Sequence, residues 1–338
     1  MITRNIMKKC INNRKSSAIL ALLVLLFAVA VIFGFSKGSK DEFYLEKYAN
    51  ADAKFYNDHI ITSVEESVQM LDLSGKVVRT YEGLNASWIY TYPQEGLVVY
   101  SNHNNETHLL KLDEEMNMIS DEVILTSELL AIDPTICKVG DTYLVTHTTI
   151  DGTINNPEPD GDNGIYTLEL FASKDLKNFE YRGAIISQKH DIEDIDMLYE
   201  DNTLYCIYEK ENYDKGPSKI CMKSSEDAGI TWSEERVLIE NGGDNEPSCI
   251  IKEYDGYRLY YSSDVECPGE SYNGASAYSA FFDADFQHLS EFDEKVNMKD
   301  NHGVRLYEVK KTEDALYFMF AHNYMTDKDF VLRKVEID

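Results

Sequence analysis

Positive charge is scarce in this chain: 32 Lys and Arg stand against 60 Asp and Glu, a formal net charge of −28. A surface of that sign repels polyanions, which excludes nucleic acid as a partner and anionic polymers with it. Neutral ligands suit it better, as does a cation, although part of the charge serves only solubility. Cysteine patterning is also absent. The six cysteines form no C-x-x-C pair, and Cys137, Cys206, Cys221, Cys249 and Cys267 lie mostly within strand-like apolar runs. Buried thiols fit this better than a disulfide framework or a zinc site, with one Cys206–Cys221 bridge across a hairpin left open. G-x-x-x-x-G-K-[ST] and H-E-x-x-H do not occur, so neither a P-loop nor a zincin helix is expected. Helical periodicity is missing from every long stretch after residue 57, which argues against an α or α/β fold.

One long hydrophobic run does exist. Residues 1–17 carry Arg4, Lys8, Lys9, Arg14 and Lys15 and no acid, and Ala18–Phe35 follows as an uninterrupted apolar segment of 18 residues. That length exceeds the core of a usual signal peptide and just spans a bilayer. The basic flank keeps the N-terminus cytoplasmic and sends the remainder outward. The expected organisation is a cytoplasmic tail (1–17), a transmembrane helix (18–35), a linker (36–57) and an outward-facing domain (58–338), held at the cell membrane by a single pass. The competing reading is a secreted protein cleaved after Ala28-Val29-Ala30, which would leave Val31-Ile32-Phe33 at the new terminus.

Beyond the linker, short runs of Val, Ile, Tyr, Phe and Leu alternate with Gly, Asp and Asn turns, the pattern of an all-β chain. One unit recurs: a polar opening, a strand, a tight turn, a Tyr-rich second strand and a closing hairpin. Its openings begin at Ala86 (ASWIYTYPQEGLVVYSN), Ile132 (IDPTICKVGDTYLVTHT), Glu193 (EDIDMLYEDNTLYCIYEK), Asn245 (NEPSCIIKEYDGYRLYYSS) and Asn301 (NHGVRLYEVKKTEDALYFMFAHN). The steps from Asp133 to Asp194, Glu246 and His302 are 61, 52 and 56 residues. A self-similar β period of this size indicates a propeller, here of five blades, with His59–Tyr81 completing the last blade and closing the ring. In a propeller the first strand of each blade lines the axis. Asn85, Ser87, Asp133, Asp194, Glu246 and His302 are therefore expected to share one funnel, with Asn301 beside His302. Ser225–Trp232 reads S-x-D-x-G-x-T-W, a hairpin turn in which an Asp accepts turn amides and a Gly takes positive φ.

That turn resembles the Asp-box of sialidases and other carbohydrate-active propellers. The four opening strands from Asp133 onward resemble those of the family-43 glycoside hydrolases and the wider five-bladed clan with the fructan hydrolases. DPTICKVGDTYLV is similar to the family's Asp-Pro strand, EDIDMLYEDNTLYCIY to its second-Asp strand, NEPSCIIKEYDGYRLYYSS to its Glu-Pro strand and NHGVRLYEV to its Gly-His-Gly strand. The resemblance spans roughly residues 125–325. It implies Asp133 as general base, Asp194 as the orienting and pKa-tuning carboxylate, and Glu246 as general acid. It also implies His302 as the axial residue that can hold a water or a cation such as calcium, although the chemistry requires no cofactor. In that family the base sits on the first blade, whereas the first opening here is Asn85-Ala86-Ser87-Trp88.

Two carboxyl groups of unequal pKa across a glycosidic bond are what hydrolysis needs, so the expected function is a monomeric glycoside hydrolase acting on a neutral extracellular oligo- or polysaccharide. Ser87, Trp88, Asn301 and His302 would contact the sugar. The alternative is a non-catalytic carbohydrate-binding or surface-interaction propeller that has lost its first-blade base. Simpler roles stay open for single residues: Asp133 as a turn cap, Asp194 within a solvated acidic stretch with Asp191, Glu193 and Asp196, His302 as a core histidine, Trp88 as packing. The loop Asn155–Gly164 has rim-loop composition and could meet sugar or calcium. A sialidase would need an arginine cluster, yet the six arginines after the anchor are scattered and none sits in an F-R-I-P context. A mannoside phosphorylase would need a basic phosphate pocket, which the acidic balance disfavours.

Overall fold

A computed structural model describes residues 42–44, 52–64, 67–152, 164–189, 191–211, 216–289, 294–295, 303–325 and 329–337. The chain divides into Met1–Glu42 and Phe43–Asp338. The apolar run 18–35, residues 155–163 of the rim loop, Asn301 and His302 lie outside the described residues. Among the described residues no helix is long and apolar enough to cross a membrane.

The fold is an all-β propeller of six four-stranded sheets. A short strand, β1 (Glu42–Tyr44), precedes blade 1, which is β2 (Ala53–Tyr56), β3 (His59–Val64), β4 (Ser67–Asp72) and β5 (Val77–Glu82). Blade 2 is β6 (Trp88–Tyr92), β7 (Leu97–Ser101), β8 (Glu106–Leu112) and β9 (Met118–Thr126). Blade 3 is β10 (Leu130–Val139), β11 (Thr142–Asp151), β12 (Ile165–Ser173) and β13 (Glu180–Lys189). Blade 4 is β14 (Ile192–Glu200), β15 (Thr203–Lys210), β16 (Lys219–Ser225) and β17 (Arg236–Ile239). Blade 5 is β18 (Asn245–Glu253), β19 (Gly256–Ser263), β20 (Ser276–Asp283) and β21 (Glu294–Lys295). Blade 6 is β22 (Arg305–Lys311), β23 (Ala315–His322) and β24 (Asp329–Glu336), with β1 added outside β24.

Each sheet is covered on both faces by a neighbouring blade, so strands such as β7 and β19 are buried along nearly their whole length. The apolar side chains sort into six clusters, one for each seam of the ring. Tyr56, Ile61 and Val68 of blade 1 meet Ile89, Val98 and Leu110 of blade 2, and Ile207 and Ile220 of blade 4 meet Ile250 and Leu259 of blade 5. The circuit closes where Phe55 and Ile60 of blade 1 pack on Met319 and Phe330 of blade 6. The innermost strands β2, β6, β10, β14, β18 and β22 touch one another in turn around the axis.

The ring therefore has six blades, not five. His59–Tyr81 does not complete the last blade; with β2 it makes a blade of its own, and the strand that adds to the last blade is β1, within the stretch read as linker. The expected linker also holds β2, because AKFY followed by an Asn57-Asp58 turn is too short to stand out from its polar surroundings. The unpaired edge of β24 is covered by a strand from the opposite end of the chain, which removes an exposed edge.

The S-x-D-x-G-x-T-W turn joins β16 to β17. Asp227 accepts the Thr231 amide at 2.8 Å and the Thr231 hydroxyl at 2.6 Å, while Gly229 stands at φ +82°. The same device occupies the third-to-fourth strand turn of every blade from 1 to 5. Asp72 accepts Lys76 N at 3.0 Å, Asp113 accepts Asn117 N at 2.7 Å, Asp175 accepts Asn178 N at 2.8 Å and Asp283 accepts Gln287 N at 2.7 Å. Each encloses a left-handed residue: Gly75, Met116, Leu176 or Phe286. Since it recurs under five different sequences, the turn reflects its position in the blade and does not tie the chain to sialidases.

Cys137, Cys206, Cys221 and Cys249 are buried free thiols and Cys267 a partly exposed one. Cys206 pairs in register with Lys223, and Cys221 with Tyr208, so the two thiols are offset by two positions and no bridge joins them.

Blade 5 offers a test of this packing. A methyl group on Gly256 would stand 2.0 Å from the Phe282 carbonyl oxygen, so Gly256→Ala must push two strands apart. The expected loss is about 1–3 kcal/mol in urea unfolding; an unchanged midpoint would contradict the β19–β20 register.

Candidate active site

Every inner strand delivers a polar residue to the same end of the axis: Asp52 just ahead of β2, Ser87 just ahead of β6, Asp133 on β10, Asp194 on β14, Glu246 on β18 and Arg305 at the start of β22. A cavity of about 680 Å³ opens there, lined by Asp52, Trp88, Asp133, Asp194, Arg305 and Tyr324 among others. Four of these strands break register at this level, between Ile132 and Thr135, Glu193 and Asp196, Pro247 and Cys249, and Leu306 and Glu308. An inserted residue bends the strand and re-aims a side chain. Asp133 and Asp194 hold φ of +47° and +50°, a left-handed conformation costing a non-glycine residue on the order of 1 kcal/mol. Strain of this kind at two matching positions turns both carboxylates toward the axis.

The re-aimed groups meet. Asp133 Oδ2 accepts the Asp194 amide at 3.1 Å, and Arg305 Nη2 donates to Asp194 Oδ1 at 3.1 Å. Arg305 Nε stands 3.9 Å from Glu246 Oε2. The guanidinium is fixed by Tyr324, whose hydroxyl accepts Nη1 at 2.7 Å, and lies over the rings of Tyr272, Tyr307 and Tyr324 at 5.4, 5.8 and 5.1 Å. An arginine so caged keeps its charge and loses little freedom on pairing.

Burial raises the pKa values of Asp133, Glu246 and Asp52 despite the nearby cations. Asp133 is pushed up to about 7, first by burial and then by the Asp194 carboxylate, with Arg305 opposing. Glu246 rises well above the ordinary carboxylate range, again by burial first and then by Asp194. Asp52 is raised by burial, although Lys54 and the Ile89 and Ala53 amides it accepts pull the other way.

Below the cavity the axis is plugged. Burial pulls the Lys54 ammonium down, but Glu308, Asp52 and Asp196 outweigh it, and its Nζ donates to Tyr307 O at 3.2 Å. Asp196 accepts the Tyr90 hydroxyl at 2.7 Å and the Ile250 amide at 3.0 Å, and Glu308 accepts the Phe55 amide. Each of these polar groups thus has a hydrogen-bond partner, most of them in the backbone.

Asp133, Asp194, Ser87 and Trp88 all line the cavity, with Trp88 edge-on to His103 at 5.5 Å. Glu246 reaches the group through Arg305, but its carboxylate turns sideways into the seam between blades 4 and 5, where it meets Glu209. The axial position of the last blade is occupied by Arg305, three residues after His302. The sequence does not single out Asp52, Arg305, Tyr272 or Tyr324 for this role. Asp52-Ala53-Lys54 opening a strand was the available signal for the first. The other three come from positions whose convergence depends on ring closure. The first-blade carboxylate missing at Asn85 is supplied one blade earlier, by Asp52.

No protein-family model and no curated protein matches the sequence. Similar backbones are found among solved structures. The β-1,2-mannobiose phosphorylase of Listeria innocua is 13% identical, with a TM-score of 0.50 over 89% of this chain and 92% of that one. The pyranose dehydrogenase PQQ domain of Coprinopsis cinerea is 10% identical, with a TM-score of 0.52 over 86% and 94%. A Bacillus subtilis arabinanase is 11% identical, with a TM-score of 0.45 over 85% and 96%. At these identities the likeness is one of fold. Because it joins proteins of different reaction classes, function must be argued from the site.

The raised Asp133 pKa has a consequence for stability. A carboxyl whose folded pKa lies above its unfolded value favours the folded state while protonated, and that contribution is lost as pH rises from about 4 to about 7. Asp133→Asn keeps an acceptor for the Asp194 amide without the charge. Its melting temperature should exceed that of the parent by a few degrees at pH 8 and match it near pH 3.5, as followed by differential scanning fluorimetry.

Proposed function

We propose that this propeller is a glycoside hydrolase acting on a neutral oligo- or polysaccharide. The observation that supports the reading is the pairing of one caged guanidinium with Asp194 and Glu246, beside an open cavity lined by Asp133, Asp194 and Trp88. An aromatic face stacks on a sugar ring without demanding charge, and the acidic surface disfavours any anionic glycan. Glu246, held protonated by its surroundings, donates to the leaving-group oxygen. Asp133, poised near neutrality, accepts the proton of the attacking water; Asp194, ion-paired to Arg305, orients both and keeps their pKa values apart. Arg305 limits the repulsion among the three. In the same reading, the basic tail and apolar run 1–35 anchor the chain with the propeller outside the cell, as a monomer.

A second reading is favoured by one feature: Glu246 is only 7% exposed and faces the blade 4–5 seam. A carboxyl that cannot reach the glycosidic oxygen would leave a sugar-binding module.

A panel of aryl glycosides and neutral polysaccharides separates the two. The hydrolase should lose about 10²–10⁴-fold in kcat with Glu246→Gln or Asp133→Asn. Its kcat/KM should climb with pH through about 7, as Asp133 gives up its proton and becomes able to accept another. Glycan binding by calorimetry with no turnover on any substrate would establish the binding module instead.

A further inference from the structure

The seam between blades 4 and 5 changes character along its length. Through most of its depth it is apolar, with Ile207, Ile220 and Met222 against Ile250 and Leu259. At the cavity end the same two faces present carboxylates: Glu209 at the end of β15, Glu211 just after it, and Asp244 just before β18. One carboxylate oxygen from each of the three lies within 4.8 Å of the others. Two ligands on opposite sides of a calcium ion, each about 2.4 Å from it, stand about 4.8 Å apart. The spacing thus has the span of one coordination sphere.

Two of the three have a buried oxygen without a hydrogen-bond partner among the described residues. Glu209 is only 2% exposed, and its Oε1 is buried without a hydrogen-bond partner, as is Glu211 Oε2. Among the described residues no lysine, arginine or histidine pairs with Glu209 or Glu211; Lys210, between them in sequence, points the other way and pairs with Glu235 at 2.7 Å. Arg305, the cation of the neighbouring site, reaches Asp194 and Glu246 instead. An uncompensated carboxylate buried at this depth is among the most costly groups a fold can contain. All ligand atoms are oxygen and all are acidic, a donor set that suits a hard divalent cation and is poor for zinc or copper.

We propose that Glu209, Glu211 and Asp244 bind one calcium-class divalent cation, which ties β15 of blade 4 to the entrance of blade 5 behind the cavity. Water and backbone carbonyls would fill the remaining positions of the coordination sphere. The ion fastens two sheets that otherwise repel at this end, and it fixes the wall against which Glu246 rests. The inference does not depend on the hydrolase reading, because binding and stability are observable in a protein that cleaves nothing.

The full chain, stripped with EDTA and returned to chelator-free buffer at pH 7.5, would be titrated with calcium chloride by isothermal calorimetry, and its melting temperature followed at 0 and 2 mM calcium. One ion should bind per chain, raising the melting temperature by several degrees. Glu209→Gln should abolish both responses while melting no lower than the parent in EDTA, since it removes a buried charge. Glu211→Gln should weaken binding at least tenfold, and it carries the same test if Glu209→Gln folds poorly. Absence of heat and of any melting shift in the parent would overturn the proposal. So would a calcium response of equal size in both variants, which would place the ion elsewhere.

Discussion

Like charges brought to one axis repel, and the architecture of this protein is arranged around that repulsion. Six blades place six strand entrances at one end of the ring, and four of those entrances carry acids. In a low-dielectric setting each added carboxylate raises the pKa of the others. The structure answers with one arginine, caged by three tyrosines and shared between Asp194 and Glu246. That guanidinium opposes the upward push of burial on Asp133 and Glu246. In the proposed hydrolase one carboxyl is held protonated while another is ready to ionise.

The scaffold bears the cost of the arrangement in visible places. Asp133 and Asp194 both adopt left-handed backbone at a bulge, and both inner strands lose ladder register there. Further down the axis Asp196 accepts the Tyr90 hydroxyl and the Ile250 amide, Glu308 accepts the Phe55 amide, and six apolar seams hold the blades. The carboxylates of the blade 4–5 seam lie at the open end, beyond its apolar cluster, and a cation there would relieve their repulsion.

How much of this was legible beforehand depended on the range of the interaction concerned. Asp133, Asp194 and Glu246 were recognisable because they occupy the same place in a repeated unit, and the structure puts them in one neighbourhood. Asp196 shows the limit of that argument. It lies two residues from Asp194, yet the intervening bulge sends it down to Tyr90 and the Ile250 amide while Asp194 turns up to Arg305. Strict alternation predicts the same direction for both. Asp52 was concealed in a polar stretch that resembles a linker, and Arg305 by standing three residues after the opening read at His302.

Strand positions, turn positions and the all-β class follow from local chemistry: a two-residue alternation, an Asp that accepts the amides of its own turn, and residues that tolerate positive φ. These act within about ten residues and can be read one segment at a time. The blade count, the partner of β24, the choice of Arg305 as the axial cation and the meeting of Glu209 with Asp244 are settled by closure of the ring. Closure brings together residues dozens to hundreds of positions apart, and no periodicity along the chain records which side chains will face each other once the circle is complete.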